Sequence, residues 1–346
     1  MKLRVMKKIN IVFAGLMAAG VWGGAAVAGG EVNLYSARQP FLIKPLLEAF
    51  TKESGIKVNM VYIKKGMLER IKAEGKNSPA DLILTADVGK LHNHVAAGLL
   101  QPSQSKILTA NIPPQYRHPE GLWYGLTTRA RVIFAHKTRV KLGEVTSYED
   151  LAAPYMKGRI CTRSGKHVYT ISLLASIIAA KGEAGAEAWA KGVKANLARK
   201  PQGNDRAQVK AVFQGECDVA LGNTYYMGKM ATNEKSPEQK DWARSVNLIF
   251  PNQNGRGAHV NISGAGIIKS AKNKEAAIKL IEFLSGAAAQ EIYAERNFEY
   301  PVKAGVALHP LVASWGTFKA DEVFLSKVAE QRKTATRIMD RVRFDN

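Results

Sequence analysis

The run Gly222-Asn223-Thr224-Tyr225-Tyr226-Met227-Gly228 sets two phenols side by side between glycines, and a third, Tyr169, stands in a separate glycine-marked turn 56 residues upstream. Phenolate oxygen is a hard donor that suits a small, highly charged cation rather than a soft one. A free phenol has a pKa of about 10, so it ligates at neutral pH only when the metal displaces its proton. A trivalent ion can do this. Three phenolates then balance its formal charge, and any additional anion must be balanced by protein cations. Tyrosine pairs also pack in ordinary cores, so the rest of the chain has to decide between the two readings.

The beginning of the chain narrows the choice of cation. Lys2, Arg4, Lys7 and Lys8 form a basic start, Ile9 to Val21 is a largely apolar run, and Ala26-Val27-Ala28 gives the small-x-small pattern of a signal-peptidase site. Residues 1–28 are therefore expected to be a removed export signal, since the run is short for the roughly 20 apolar residues of a membrane span. In an exported protein, ferric iron is the obvious hard cation. Loss of those residues lowers the formal charge from +21 to +17. The remaining basic residues are scattered, as in Lys64-Lys65 or Arg332-Lys333, with no block and no interleaved aromatics. This argues against a nucleic-acid partner and for a field that gathers anions or docks on an acidic surface. Cys161 and Cys217 are the only cysteines. In an oxidising compartment they can pair, or each can remain a free buried thiol; their spacing is not that of a metal site.

A bound anion needs forked cations, and three residues are candidates. Arg38 and Gln39 follow the first expected strand, and Arg129 lies in a long β-rich stretch. Arginine offers a rigid pair of donors to carbonate or carboxylate, although its ordinary fate is a salt bridge. Ser164-Gly165 precedes a helix and offers amide donors to an anion. His92 and His94 lie two apart on one expected helix, face different directions and are read as helix surface. His167, two residues before Tyr169, is assigned a supporting or solvent role. Hydrolase, Walker, zinc-protease and dinucleotide motifs are missing, so no enzyme is expected.

The positioning elements alternate. Strands are expected at Val32–Ser36, Ile56–Val61 and Asp81–Thr85, with helices at Pro40–Lys52, Lys65–Glu74 and Val88–Ala97. Trp123–Lys137 reads as a strand leaving one lobe for another. Ser147–Ala153 reads as a short helix, Arg159–Cys161 as a strand, and Tyr169–Ala180 and Ala184–Leu197 as helices separated by Lys181-Gly182. Arg206–Gln214 is a further helix and Cys217–Leu221 a strand, which leaves Tyr225 and Tyr226 on extended backbone, bent by Gly222 and Gly228 so that both reach one ion. Val246–Phe250 is a strand that can cross back, and Ala258–Ile262 a strand before a turn at Ser263–Gly266. The roughly 318 mature residues fit two α/β lobes built on mostly parallel sheets and joined by two crossing strands, with a ligand between them.

Asn33–Gln39, Asp81–Asp87, Gly125–Val132, Arg163–Tyr169 and Gly215–Tyr226 together make the chain resemble the periplasmic ferric-ion-binding proteins that supply bacterial ABC importers, over essentially all of the mature sequence. The resemblance implies a type II binding-protein clamp: residues 29–128 with about 254–303 in the first lobe, and 129–253 with about 304–346 in the second. It implies Tyr169, Tyr225 and Tyr226 as iron ligands. Many members place a His-Tyr pair directly after the arginine matching Arg38; here those positions are Gln39 and Pro40. That departure implies completion by a synergistic anion such as carbonate, held by Arg38 and Arg129 with Gln39 beside them. The implied partners are an inner-membrane permease, ferric iron and the anion, for a periplasmic monomer. The alternative is a carrier of a small anionic solute that uses the tyrosines as a stacking platform.

Overall fold

The computed structural model describes residues 30–346, so the expected export signal lies outside the described residues. The first lobe is built in chain order from β1 (Glu31–Ser36), α1 (Pro40–Ser54), β2 (Lys57–Tyr62), α2 (Met67–Glu74), β3 (Leu82–Thr85), α3 (Val88–Ala96), β4 (Leu100–Gln101) and α4 (Lys106–Asn111). Helix α1 buries Ile43, Leu46, Leu47 and Phe50, the one-face spacing visible in its sequence, and stops at Gly55 in the left-handed conformation. Strand β3 is buried along its whole length, as its unbroken apolar run requires.

The long strand β5 (Tyr124–His136) leaves this lobe. Its first half pairs with β9 (Val260–Ile268), and from Arg131 onward it pairs with β7 (Val219–Asn223) and β8 (Val246–Ile249). The second lobe adds β6 (Ile160–Cys161), α5 (Val168–Ala195), α6 (Asp205–Phe213), α7 (Thr224–Ala231) and α8 (Glu238–Arg244). The chain returns along β9 and continues through α9 (Lys274–Ser285), α10 (Ala287–Asn297), β10 (Tyr300–Pro301), α11 (Pro310–Ala313), α12 (Leu325–Glu330) and α13 (Arg332–Arg341). Strand order is β2-β1-β3-β9-β5-β7-β6. Among the named strands, β1–β2, β1–β3 and β6–β7 pair in parallel, and the two crossing strands run antiparallel to their neighbours. Apolar clusters cover both faces of each lobe's sheet.

Several local expectations change. Ser263–Gly266 is not a turn but the middle of β9. A Cβ on Gly264 would lie 2.6 Å from the Tyr124 carbonyl oxygen and one on Gly266 would lie 2.8 Å from that of Leu122, so these glycines allow close packing rather than reversal. The segment Val246–Phe250 forms an edge strand of the second lobe, and β9 makes the return crossing instead. The expected helix at Ser147–Ala153 shrinks to a single 3-10 turn, Asp150–Ala152. Helix α5 runs through Lys181, but Gly182 leaves helical geometry at φ 73°, which kinks it where two helices were expected.

Cys161 and Cys217 form a disulfide with 5.9 Å between their Cα atoms. Where β5 and β9 part, Arg131 N–H donates to the His259 carbonyl at 2.9 Å, but the reciprocal bond is not direct. The Tyr148 hydroxyl is inserted instead, accepting from His259 N–H at 3.0 Å and donating to the Arg131 carbonyl at 2.5 Å.

Candidate metal centre in the cleft

Tyr225 and Tyr226 do not lie on extended backbone. Strand β7 ends at Asn223, and Thr224 begins α7, so both tyrosines occupy a first helical turn. The flanking glycines have another use than the expected bend: a Cβ on Gly222 would meet the Phe134 ring at 2.3 Å, and one on Gly228 would meet the Phe298 ring at 2.4 Å. They let the strand and helix settle against these two rings. Tyr169 is the second residue of α5, and its N–H donates to Nδ1 of His167 at 3.2 Å. The His167 ring also packs edge-on against that of Tyr169, with centroids 4.7 Å apart.

The starts of α5 and α7, both in the second lobe, thus bring the phenols together. The Tyr169 and Tyr225 hydroxyls lie 2.9 Å apart, and the rings of Tyr225 and Tyr226 are 4.4 Å apart at a 38° tilt. All three line a cleft of about 550 Å³ whose facing wall includes Ala37, Arg38 and Gln39. Burial pushes the Tyr225 phenol well above its ordinary pKa, reinforced by Tyr169 and Tyr226 and opposed by Arg129. Tyr226 is raised to about 12, by burial first and then by Tyr169 and Asp205. Both are therefore protonated near neutral pH until a cation displaces the protons. Among the described residues no three His, Cys, Asp or Glu side chains gather as a metal site.

Beneath the phenols lies a buried group that sequence reading missed. Asp205, at the start of α6, accepts from the guanidiniums of both Arg131 and Arg163 and from the Asn223 N–H at 3.2 Å. Arg131 also donates to the Asn223 side chain at 3.1 Å. Burial raises the Asp205 pKa, but the two arginines outweigh it and hold the carboxyl below its ordinary value. The guanidiniums of Arg163 and Arg131 lie 5.3 and 5.8 Å from the Tyr169 ring centroid. One net positive charge therefore underlies the phenols, and the residue before α7 is fixed by it. Asn204, capping α6 just ahead of Asp205, was the available local signal.

The three expected anion-binding residues have different surroundings. Arg129 is 2% exposed, sits where β5 passes between lobes, and donates to the Ala86 carbonyl while its Nε and Nη1 have no partner. Arg38 is committed elsewhere: its fork is engaged by Glu299, and it also donates to Ser263. Gln39 sits at the first cap of α1, lines the cleft and makes no capping bond with its side chain. Arg206, Lys229 and Arg296 add positive charge around the cleft. Ser164 and Gly165 do bind an anionic group, but the chain supplies it: both donate to the Asp345 carboxylate, at 2.5 and 2.6 Å. His94 is not helix surface; it continues the inward stripe of Val88 and Leu91 and is 3% exposed.

Comparison with known proteins agrees with this fold. The model of the bacterial extracellular solute-binding protein family matches residues 77–319. "Iron uptake protein A1" of Synechocystis sp. is 50% identical over 311 residues, covering 90% of this chain and 86% of the relative. The "Major ferric iron-binding protein" of Neisseria meningitidis is 30% identical over 341 residues, covering 96% and 98% of the two chains. Among solved structures, apo ferric ion-binding protein A of Pasteurella haemolytica superposes with a TM-score of 0.86 at 49% identity, covering 92% of this chain and 99% of that one. A Trichodesmium protein in complex with iron and citrate superposes at 0.87 with 47% identity, covering 90% and 99%. These relatives are binding and uptake proteins rather than enzymes. With a two-lobed clamp, three phenols meeting in its cleft and such relatives along nearly its whole length, the chain belongs to the bacterial extracellular solute-binding proteins, among the periplasmic ferric-ion-binding proteins.

Proposed function

We propose that this protein captures ferric iron in the periplasm on the phenolates of Tyr169, Tyr225 and Tyr226 and hands it, as a monomer, to the permease of an ABC importer. The observation that carries the reading is the meeting of the Tyr169 and Tyr225 hydroxyls at 2.9 Å beside the Tyr226 ring. Iron displaces the phenol protons, and the three negative charges formed are balanced by the ion itself. Remaining coordination positions are filled by a small oxygen anion such as carbonate. The unpartnered Nε and Nη1 of Arg129 support this assignment most directly. Gln39 reaches the same cleft from the other lobe, and Arg38, neutralised by Glu299, shapes the wall rather than offering a free fork. Closure of the lobes then shuts the ion from water, and reopening with reprotonation of the phenols releases it.

The test is an absorbance titration of iron-free protein with a soluble ferric chelate, with and without bicarbonate. The expected result is a visible phenolate-to-iron band that saturates at one iron per chain and depends on bicarbonate. No band under either condition overturns the iron-ligand assignment and favours an anionic solute stacked on the tyrosines.

A further inference from the structure

A second cavity, of about 180 Å³, opens at the carboxyl ends of β1, β2 and β3, where Ala37, Ile63 and Thr85 line it. It shares only Ala37 with the tyrosine cleft. Its walls carry Lys64, Lys65, Lys90 and Arg332 against one carboxylate, Glu69. Arg332 has Asp87 at 3.3 Å, whereas among the described residues no carboxylate comes within ion-pair distance of the three lysines. The cavity also receives the start of α2. Gly66 precedes that helix at φ 77° with no side-chain cap, so the first-turn amides and the positive end of the helix face an anion-attracting space.

Buried His94 supplies an independent indication. It lines the cavity, and its Nδ1 lies 2.7 Å from the Lys90 carbonyl oxygen. A carbonyl only accepts, so Nδ1 carries the proton and the neutral ring leaves Nε2 as a bare acceptor. That Nε2 is buried and has no partner. A fully deprotonated oxyanion would satisfy the lysines and the helix start but would turn its lone pairs toward Nε2. An oxyanion that retains a proton satisfies both, because its oxygens accept from the cations and amides while its O–H donates to Nε2.

We propose that this first-lobe cavity is a separate binding site for a proton-bearing tetrahedral oxyanion of the hydrogen phosphate class. Calorimetric titration of the iron-free mature protein with inorganic phosphate, glycerol phosphate and sulfate near neutral pH tests it. Free phosphate and a phosphate monoester share the recognised group, and the first two titrants show which of them the cavity admits. Sulfate has no proton to donate and is expected to bind about tenfold or more weaker, the effect of setting a buried acceptor against lone pairs. Arg129→Gln removes the anion donor of the other cleft; the phosphate binding that remains in that variant should be abolished by Lys64→Gln with Lys90→Gln, and His94→Leu should narrow the gap between phosphate and sulfate. The lysine pair provides a test even if the buried His94→Leu variant does not fold, with circular dichroism to verify its fold. Absence of phosphate binding at millimolar concentration, equal binding of sulfate, or loss of phosphate binding in Arg129→Gln rather than in the lysine variant overturns the proposal.

Discussion

At the scale of single residues, the site depends on protons being held until iron arrives. Tyr225 and Tyr226 sit above their ordinary pKa because burial and neighbouring phenols disfavour their charged forms. Ligation by all three phenolates would release three protons, so each unit of falling pH should weaken apparent iron association by up to about a thousandfold. Competition against a ferric chelator of known pH dependence, run from mildly acidic to neutral pH, measures that slope; a slope near zero would exclude phenol ligation. Tyr225→Phe should lower iron affinity and remove much of the visible band, which the same titration reads. Arg129→Gln should leave a band but remove its dependence on bicarbonate. Tyr225 and Tyr226 were legible in the sequence as an adjacent pair between glycines at a strand end, and Tyr169 through the resemblance of its segment to the family. The partner of Arg38 was not, since Glu299 lies 261 residues further on and no local pattern links the two. Asp205 was missed for the same reason, as its arginines come from β5 and from the loop after β6.

At the scale of elements, long or strongly patterned segments were readable, and the short one that matters most was not. The one-sided apolar spacing of α1 and the unbroken apolar run of β3 each specify an element directly. Helix α7 spans only eight residues, Thr224–Ala231, and contains Gly228, so neither length nor propensity marks it as a helix. Packing decides there: Gly228 lies against Phe298, and Asn223 is tied to Asp205 and Arg131. Gly222→Ala places a methyl 2.3 Å from the Phe134 ring and should cost about 1–3 kcal/mol of stability, read from the urea unfolding midpoint. The disulfide closes a loop that includes α5 and α6 across a separation of 56 residues. Replacing both Cys161 and Cys217 by Ser should cost about 2–4 kcal/mol, measured in the same way.

At the scale of the whole molecule, stability and cargo retention both depend on acidity, for different reasons. His259 is fully buried, and burial first, then Arg256, Arg131 and Arg129, lower its pKa to about 3. His167 is lowered to about 4 by burial and Arg163. The unfolded chain takes up protons on these rings near the ordinary histidine value of about 6.5 while the folded chain does not, so stability is lost as pH falls from there toward the folded values. Urea midpoints at neutral and mildly acidic pH should show this decline before most carboxylates titrate, and His259→Gln should flatten it. A decline of the same size in that variant would assign it to other groups.

The Tyr148 hydroxyl inserted between Arg131 and His259 has a mechanical consequence. Two separate straps joining the lobes could flex out of step, each taking up a different share of a bend. Here one rigid ring clasps both at the point where they diverge, so they behave as a single pin, and torque applied through either is carried by the other. A lobe motion hinged on that pin is expected to favour swinging about it over shearing along it.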